Sequence, residues 1–144
     1  MKPHLPSIAM RTLLLSSLLL VIVAGCGDTR RQSIQGTVKL DGQPLPAGSI
    51  RFVPTQGAEG PSAGAEIVDG KFQVPKATGT FAGTFQVQVT ASRPAQTLMR
   101  NPETGQMVRG LEQYIPARYN RQTELTAEVR AGEENDFTFE LHSR

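Results

Sequence analysis

The sequence predicts an all-β domain, a seven-stranded antiparallel β-sandwich that follows an N-terminal signal helix. Three observations carry this reading. Seven short runs between Ser33 and Leu141 alternate apolar and polar residues with period two, the pattern of strands with one dry and one wet face. Turn residues separate the runs: thirteen glycines and eight prolines follow Cys26, mostly between them. No window of useful length carries an apolar stripe at helical spacing. The chain has 144 residues, which suits one domain.

The leader comes first. Lys2 and Arg11 form a basic start, and Leu13–Ala24 is a 12-residue apolar run, LLLSSLLLVIVA. As a helix it rises about 18 Å, short of the roughly 30 Å of a bilayer core. Residues 1–25 therefore read as an export signal rather than a permanent span. The run closes with Val23-Ala24-Gly25-Cys26, which resembles the bacterial lipobox. That resemblance implies cleavage after Gly25 and lipid attachment at Cys26, with palmitate among the acyl chains. Several chains anchor firmly, since each buried CH₂ contributes about 0.8 kcal/mol. Residues 26–32 are short and polar and read as a tether, with Arg30 and Arg31 in solvent, or, as the alternative, against anionic head groups.

The domain is expected over residues 33–141. In SIQGTVKL, Ile34, Gly36, Val38 and Leu40 share a face; in SIRFV, Ile50 and Phe52 do. AGAEIV places Ala63, Ala65 and Ile67 together, and KFQVP places Phe72 and Val74. Asp69-Gly70 between these two runs reads as a two-residue type I′ hairpin. TFQVQVT contributes Phe85, Val87 and Val89; TELTAEV contributes Leu125, Ala127 and Val129; DFTFEL contributes Phe137, Phe139 and Leu141. The phenylalanines are assigned to the core rather than to a sugar-stacking platform.

Residues 92–122 break the pattern and are expected to be an irregular loop insertion. One reading makes them a crossover that packs Leu111, Tyr114, Ile115 and Tyr119 over one end of the sandwich. The other makes them a mobile basic lip, since Arg93, Arg100, Arg109, Arg118 and Arg121 face only Glu103 and Glu112.

The motifs GTVKLDGQPLPAGSIRFVP, VDGKFQV, GTFQVQV and YIPARYNRQTELTAEVRAGEENDFTFEL resemble, in that order, carboxypeptidase regulatory-like domains of small bacterial lipoproteins. The resemblance covers about residues 33–141. It implies a transthyretin-like (prealbumin-like) Greek-key sandwich. It implies no catalytic residues, because such domains accompany peptidase domains without being the catalyst. Here the chain departs from the family, because Ala91 leads into the 92–122 insertion where the family's strand continues directly toward a closing Gly-Tyr.

Composition excludes several functions. After Cys26 the 13 Lys and Arg balance 13 Asp and Glu, so the basic pI belongs to the leader, and nucleic acid is not an expected partner. One cysteine permits no internal disulfide, and with only His4 and His142 a Cys/His zinc site is excluded. His142 next to Ser143 is expected to be frayed, so no Ser-His-Asp triad is expected. Paired carboxylates at Glu66/Asp69 and Glu133/Glu134/Asp136 read as solvated surface, without the spacing of a calcium loop. Gly57–Gly64 lacks the Lys-Ser/Thr of a phosphate loop. No catalytic residue, cofactor or metal is expected.

Two functions remain. The first is a non-enzymatic, lipid-anchored envelope protein, on the periplasmic or outer-surface side. Its partners are the membrane, through the N-terminal lipid, and an envelope protein. The second is a ligand-binding sandwich, glycan for example, that uses the 92–122 segment. An exposed cluster of Tyr114 and Tyr119 would favour the second, and burial of both would favour the first.

Overall fold

The computed structural model describes residues 30–144. The signal segment 1–25, the cleavage position Gly25, Cys26 and the start of the tether lie outside the described residues.

The protein is all-β. Each of the seven alternating runs is a strand: β1 (Ile34–Leu40), β3 (Ala47–Pro54), β4 (Ala63–Val68), β5 (Lys71–Val74), β6 (Gly83–Thr90), β9 (Thr126–Val129) and β10 (Asp136–Leu141). Three further strands complete the chain: β2 (Gln43–Pro44), β7 (Ser92–Arg100) and β8 (Met107–Gln113). The main sheet runs β10-β1-β5-β4-β3-β6-β9, with β2 beside β1. It folds over between β5 and β4, where only Val68 and Lys71 pair across the Asp69-Gly70 turn. Asp69 and Gly70 both have positive φ (50° and 76°), as a type I′ turn demands. Gly70 is also required sterically, because a Cβ there would lie 2.7 Å from Pro44 Cβ. The spatial order β6-β3-β4-β5 sets three consecutive strands beside a fourth that returns to the first, a Greek key.

Folding the sheet brings two layers face to face. Phe52 on β3 packs on Phe72 of β5 and on Phe137 and Phe139 of β10, at 6.0, 6.3 and 6.4 Å between ring centroids. The core also takes Ile34, Val38, Ile50, Ile67, Phe85, Val87, Val89, Val129 and Leu141, all of which period-two alternation places inward. Outside the seven strands it adds Leu45, Ala91, Ile115 and Tyr119.

The sheet is not antiparallel throughout: β10 runs parallel to β1, with Gly36 opposite Phe137 and Val38 opposite Phe139. The chain crosses from β9 to the other layer through residues 130–135 and enters beside the start of β1, where Gln35 N–H donates to Asn135 O at 2.9 Å. Both strands thus enter that layer from the same end. Asn135 holds the crossing. It is buried, its Oδ1 accepts from Arg130 N–H (2.8 Å), and its Nδ2 donates to Ser33, Arg130 and Glu133 carbonyls. Gly36 permits the close approach of β10, because a Cβ would meet Phe137 O at 1.9 Å.

The last residues of the tether are docked rather than free in solvent. Gln32 bridges to Thr80, Arg31 donates to Gly79 O (2.5 Å), and the Arg30 guanidinium lies 4.3 Å over the Phe81 ring. These contacts lie at the end of the sandwich where β6 begins.

Candidate interaction hairpin

Residues 92–113 form an antiparallel hairpin, β7–β8, that pairs with no other strand. The expectation of an irregular loop is therefore corrected. The alternation that marks the other strands is absent here for a physical reason. Leu98-Met99 and Met107-Val108 are adjacent apolar pairs, so each face of the ribbon carries apolar side chains. Pro94 and a register shift between Pro94 and Leu98 break the period further.

The hairpin's register sorts its side chains. Pro94–Leu111, Leu98–Arg109 and Arg100–Met107 are opposed on one face. Arg93–Glu112 and Met99–Val108 are opposed on the other. Met99 lies over Gly110, whose Cβ would be 2.9 Å from Met99 Cε. Leu98, Met99, Met107, Val108 and Leu111 are all exposed, Leu111 at 77%. Five exposed apolar side chains on one element exceed the scattered single residues usual on a protein surface. Leu111 thus does not cover the sandwich, contrary to the crossover reading.

The five arginines separate into distinct roles. Arg93 Nε donates to Glu112 Oε1 at 2.7 Å, and its guanidinium lies 5.2 Å over the Tyr114 ring. Arg100 Nε donates to Gly105 O (3.2 Å) and steadies the turn. Arg118 donates to His142 and Arg144 carbonyls, each at 2.6 Å, and lies 4.9 Å over the Tyr119 ring. Among the described residues no carboxylate pairs with Arg100, Arg109 or Arg121.

The root of the hairpin is firm. Tyr114 N–H donates to Ala91 O (3.1 Å), and Gln113 Oε1 accepts from Ala91 and Ile115 N–H at 3.0 and 3.1 Å. Ile115 and Tyr119 are buried, and Tyr114 is half-buried. The tyrosines therefore form no exposed cluster. Asn120 closes the return, donating to Ile115 and Pro116 carbonyls at 3.0 and 3.1 Å. Between this root and the sandwich is an open groove of about 470 Å³, lined by Leu40, Pro44, Pro46, Ser92, Arg93 and Tyr114 among others.

The C-terminal residues are pinned here rather than frayed. His142 N–H donates to Tyr119 Oη (3.1 Å), and Ser143 N–H donates to Asp41 Oδ1 (3.0 Å). The Ser143 amide, then its hydroxyl, holds the Asp41 carboxyl below its usual range. Arg118 beside the Tyr119 phenol draws that group below its usual value, against the opposing effect of burial. Such contacts are structural.

Of the paired carboxylates, Glu66 and Asp69 are exposed, and Glu133, Glu134 and Asp136 are engaged at the surface. Glu133 and Glu128 flank Arg130 at 3.6 and 3.5 Å, and raise its pKa, Glu128 foremost. Gln35 Nε2 donates to Glu134 (2.9 Å) and Asp136 (3.2 Å). Among the described residues no group of acids, histidines or cysteines is arranged to hold a metal ion. Nor is any helix among them long and apolar enough to cross a membrane.

No family model and no curated protein matches the chain. Among solved structures it is similar to a 9R-lipoxygenase from Cyanothece, at 13% identity and a TM-score of 0.37. The similarity covers 78% of this chain and 16% of the lipoxygenase.

Proposed function

We propose that this chain is a non-enzymatic, lipid-anchored protein of the cell envelope, in which a β-sandwich frame presents the β7–β8 hairpin as a protein-interaction module. One observation carries the interaction role. The hairpin pairs with no other strand, yet Leu98, Met99, Met107, Val108 and Leu111 are exposed on it. An isolated two-stranded ribbon is marginal in water. Apolar groups on both of its faces are what a covering partner would bury. The sandwich, by contrast, spends its inward side chains on its own core. Cys26, behind the apolar run and Ala24-Gly25, supports the lipid anchor.

The test has two arms. Labelled palmitate should enter the wild-type chain and not Cys26→Ala. A photo-crosslinking amino acid at Leu111 should trap a protein in living cells, while one at Glu66, on the sandwich surface, should not. Equal yields at the two positions would refute the hairpin as the interaction module.

A second reading, glycan binding, is favoured by the groove at the hairpin's root, where Tyr114 and Arg93 are stacked beside Ser92. Loss of a glycan-array signal in Tyr114→Ala, with crosslinking at Leu111 unchanged, would select it.

A further inference from the structure

Exposed apolar and basic side chains on a ribbon fit two kinds of surface, a bilayer or another protein chain. The topology decides between them. The tether docks through Arg31 and Gln32 at Gly79 and Thr80, just before β6 begins. The hairpin leaves from Ala91, just after β6 ends. The eight residues of β6 separate these points by about 23 Å, at about 3.3 Å per step. From Cys26 to Arg30 there are four residue steps, which span at most about 14 Å. A lipid on Cys26 therefore holds the opposite end of the sandwich near the bilayer, and the root of the hairpin is a strand length beyond it.

Charge decides between a second copy and a different chain. Arg100 and Arg109 share one face of the hairpin, on diagonal positions about Met107. No carboxylate among the described residues pairs with either. A second copy paired along β8 in the register that sets Arg109 opposite Arg109 would bring like charges together, whereas an acidic residue there would be paired.

The edges decide the mode. β8 contains no proline, so every residue from Met107 to Gln113 keeps its N–H, whereas β7 carries Pro94. The outer edge of β8 pairs with no strand. Along one face β8 presents Met107, Arg109 and Leu111, all exposed.

Deepening the interaction reading above, on whose lipid anchor its placement rests, we infer that β8 accepts an extended acidic segment of another protein by strand addition, on the side of the sandwich away from the anchoring bilayer. The segment it fits alternates apolar, acidic and apolar residues at i, i+2 and i+4, opposite Met107, Arg109 and Leu111. Main-chain hydrogen bonds would supply affinity, and the side-chain pairs specificity.

The chain purified with its own N-terminus is titrated against a fluorescent nine-residue peptide of threonines, with leucine, glutamate and leucine at positions 3, 5 and 7. A twin peptide carries lysine in place of glutamate. The glutamate peptide should bind at least three-fold more tightly than its twin, and Arg109→Glu should reverse the order without shifting the melting temperature. Equal binding, or none, would overturn the inference. So would a dimer that the peptide disperses, which would make a second copy the occupant. For placement, a fluorophore on Thr104→Cys in acylated protein on vesicles should escape quenching by headgroup-labelled lipid, while one on Ala131→Cys is quenched. A quenched Thr104 label would make the bilayer the occupant. A chain whose mass shows no acylation would overturn the anchor, and with it the placement, while the peptide titration still judges the strand addition.

Discussion

Phe85 and Phe52 are fully buried, so the first consequences of this packing belong to single side chains. Phe85→Ala should cost about 3–5 kcal/mol, the usual loss on emptying a packed aromatic site, as read from urea unfolding. Asn135 is polar but equally fixed, since its amide satisfies carbonyls on both sides of the β9–β10 crossing. Asn135→Ala leaves those carbonyls without a partner and should cost about 1–3 kcal/mol. Asp41 supplies a pH signature. Its folded pKa lies below the ordinary aspartate value because the Ser143 amide and hydroxyl favour the charged form. The contribution of this contact is therefore complete above the unfolded pKa and is lost as pH falls through the lower, folded one. The Ser143 amide resonance should shift on acidification with a midpoint below the ordinary aspartate range, and Asp41→Asn should abolish that transition. A midpoint in or above the ordinary aspartate range would show that the tail is not held by Asp41.

At the scale of elements, the seven sandwich strands were legible because each has one wet and one dry face, so burial imprints period two on the sequence. Phe85 and Val87 face the core while Gln86 is exposed between them. The β7–β8 hairpin has no dry face, and that imprint is missing. Leu98-Met99 and Met107-Val108 read as loop, although both pairs lie in strands. The basic character of this segment was visible in its composition. The division of its arginines was not, because Arg93 finds Glu112 and Arg118 finds the C-terminal carbonyls only through pairing and return of the chain. The parallel β1–β10 pair was hidden for a related reason: alternation fixes which side chains face inward, not which strand lies beside which. Turn chemistry was fully legible at Asp69-Gly70. Gly70→Ala should lower the melting temperature, since it puts a Cβ both at φ 76° and against Pro44. The strained position alone costs about 1–3 kcal/mol. An unchanged melting temperature would mean that the turn relaxes without cost.

For the whole molecule, a folded frame, a short tether at one end and an exposed ribbon rooted at the other would, in the proposed function, divide the labour between anchoring and recognition. Such a division requires the ribbon to be dispensable for folding. It pairs with no sandwich strand, whereas the root residues Ile115 and Tyr119 belong to the core. Elements that bury few apolar contacts contribute little to global stability. The most direct measurement is the urea unfolding free energy of the chain with residues 95–110 replaced by a short Gly-Ser linker, beside wild type. The two values should agree within about 0.5 kcal/mol, the usual range of changes that touch no core. A loss of more than about 3 kcal/mol, the scale of an emptied core site, would contradict a free-standing hairpin and make it part of the frame.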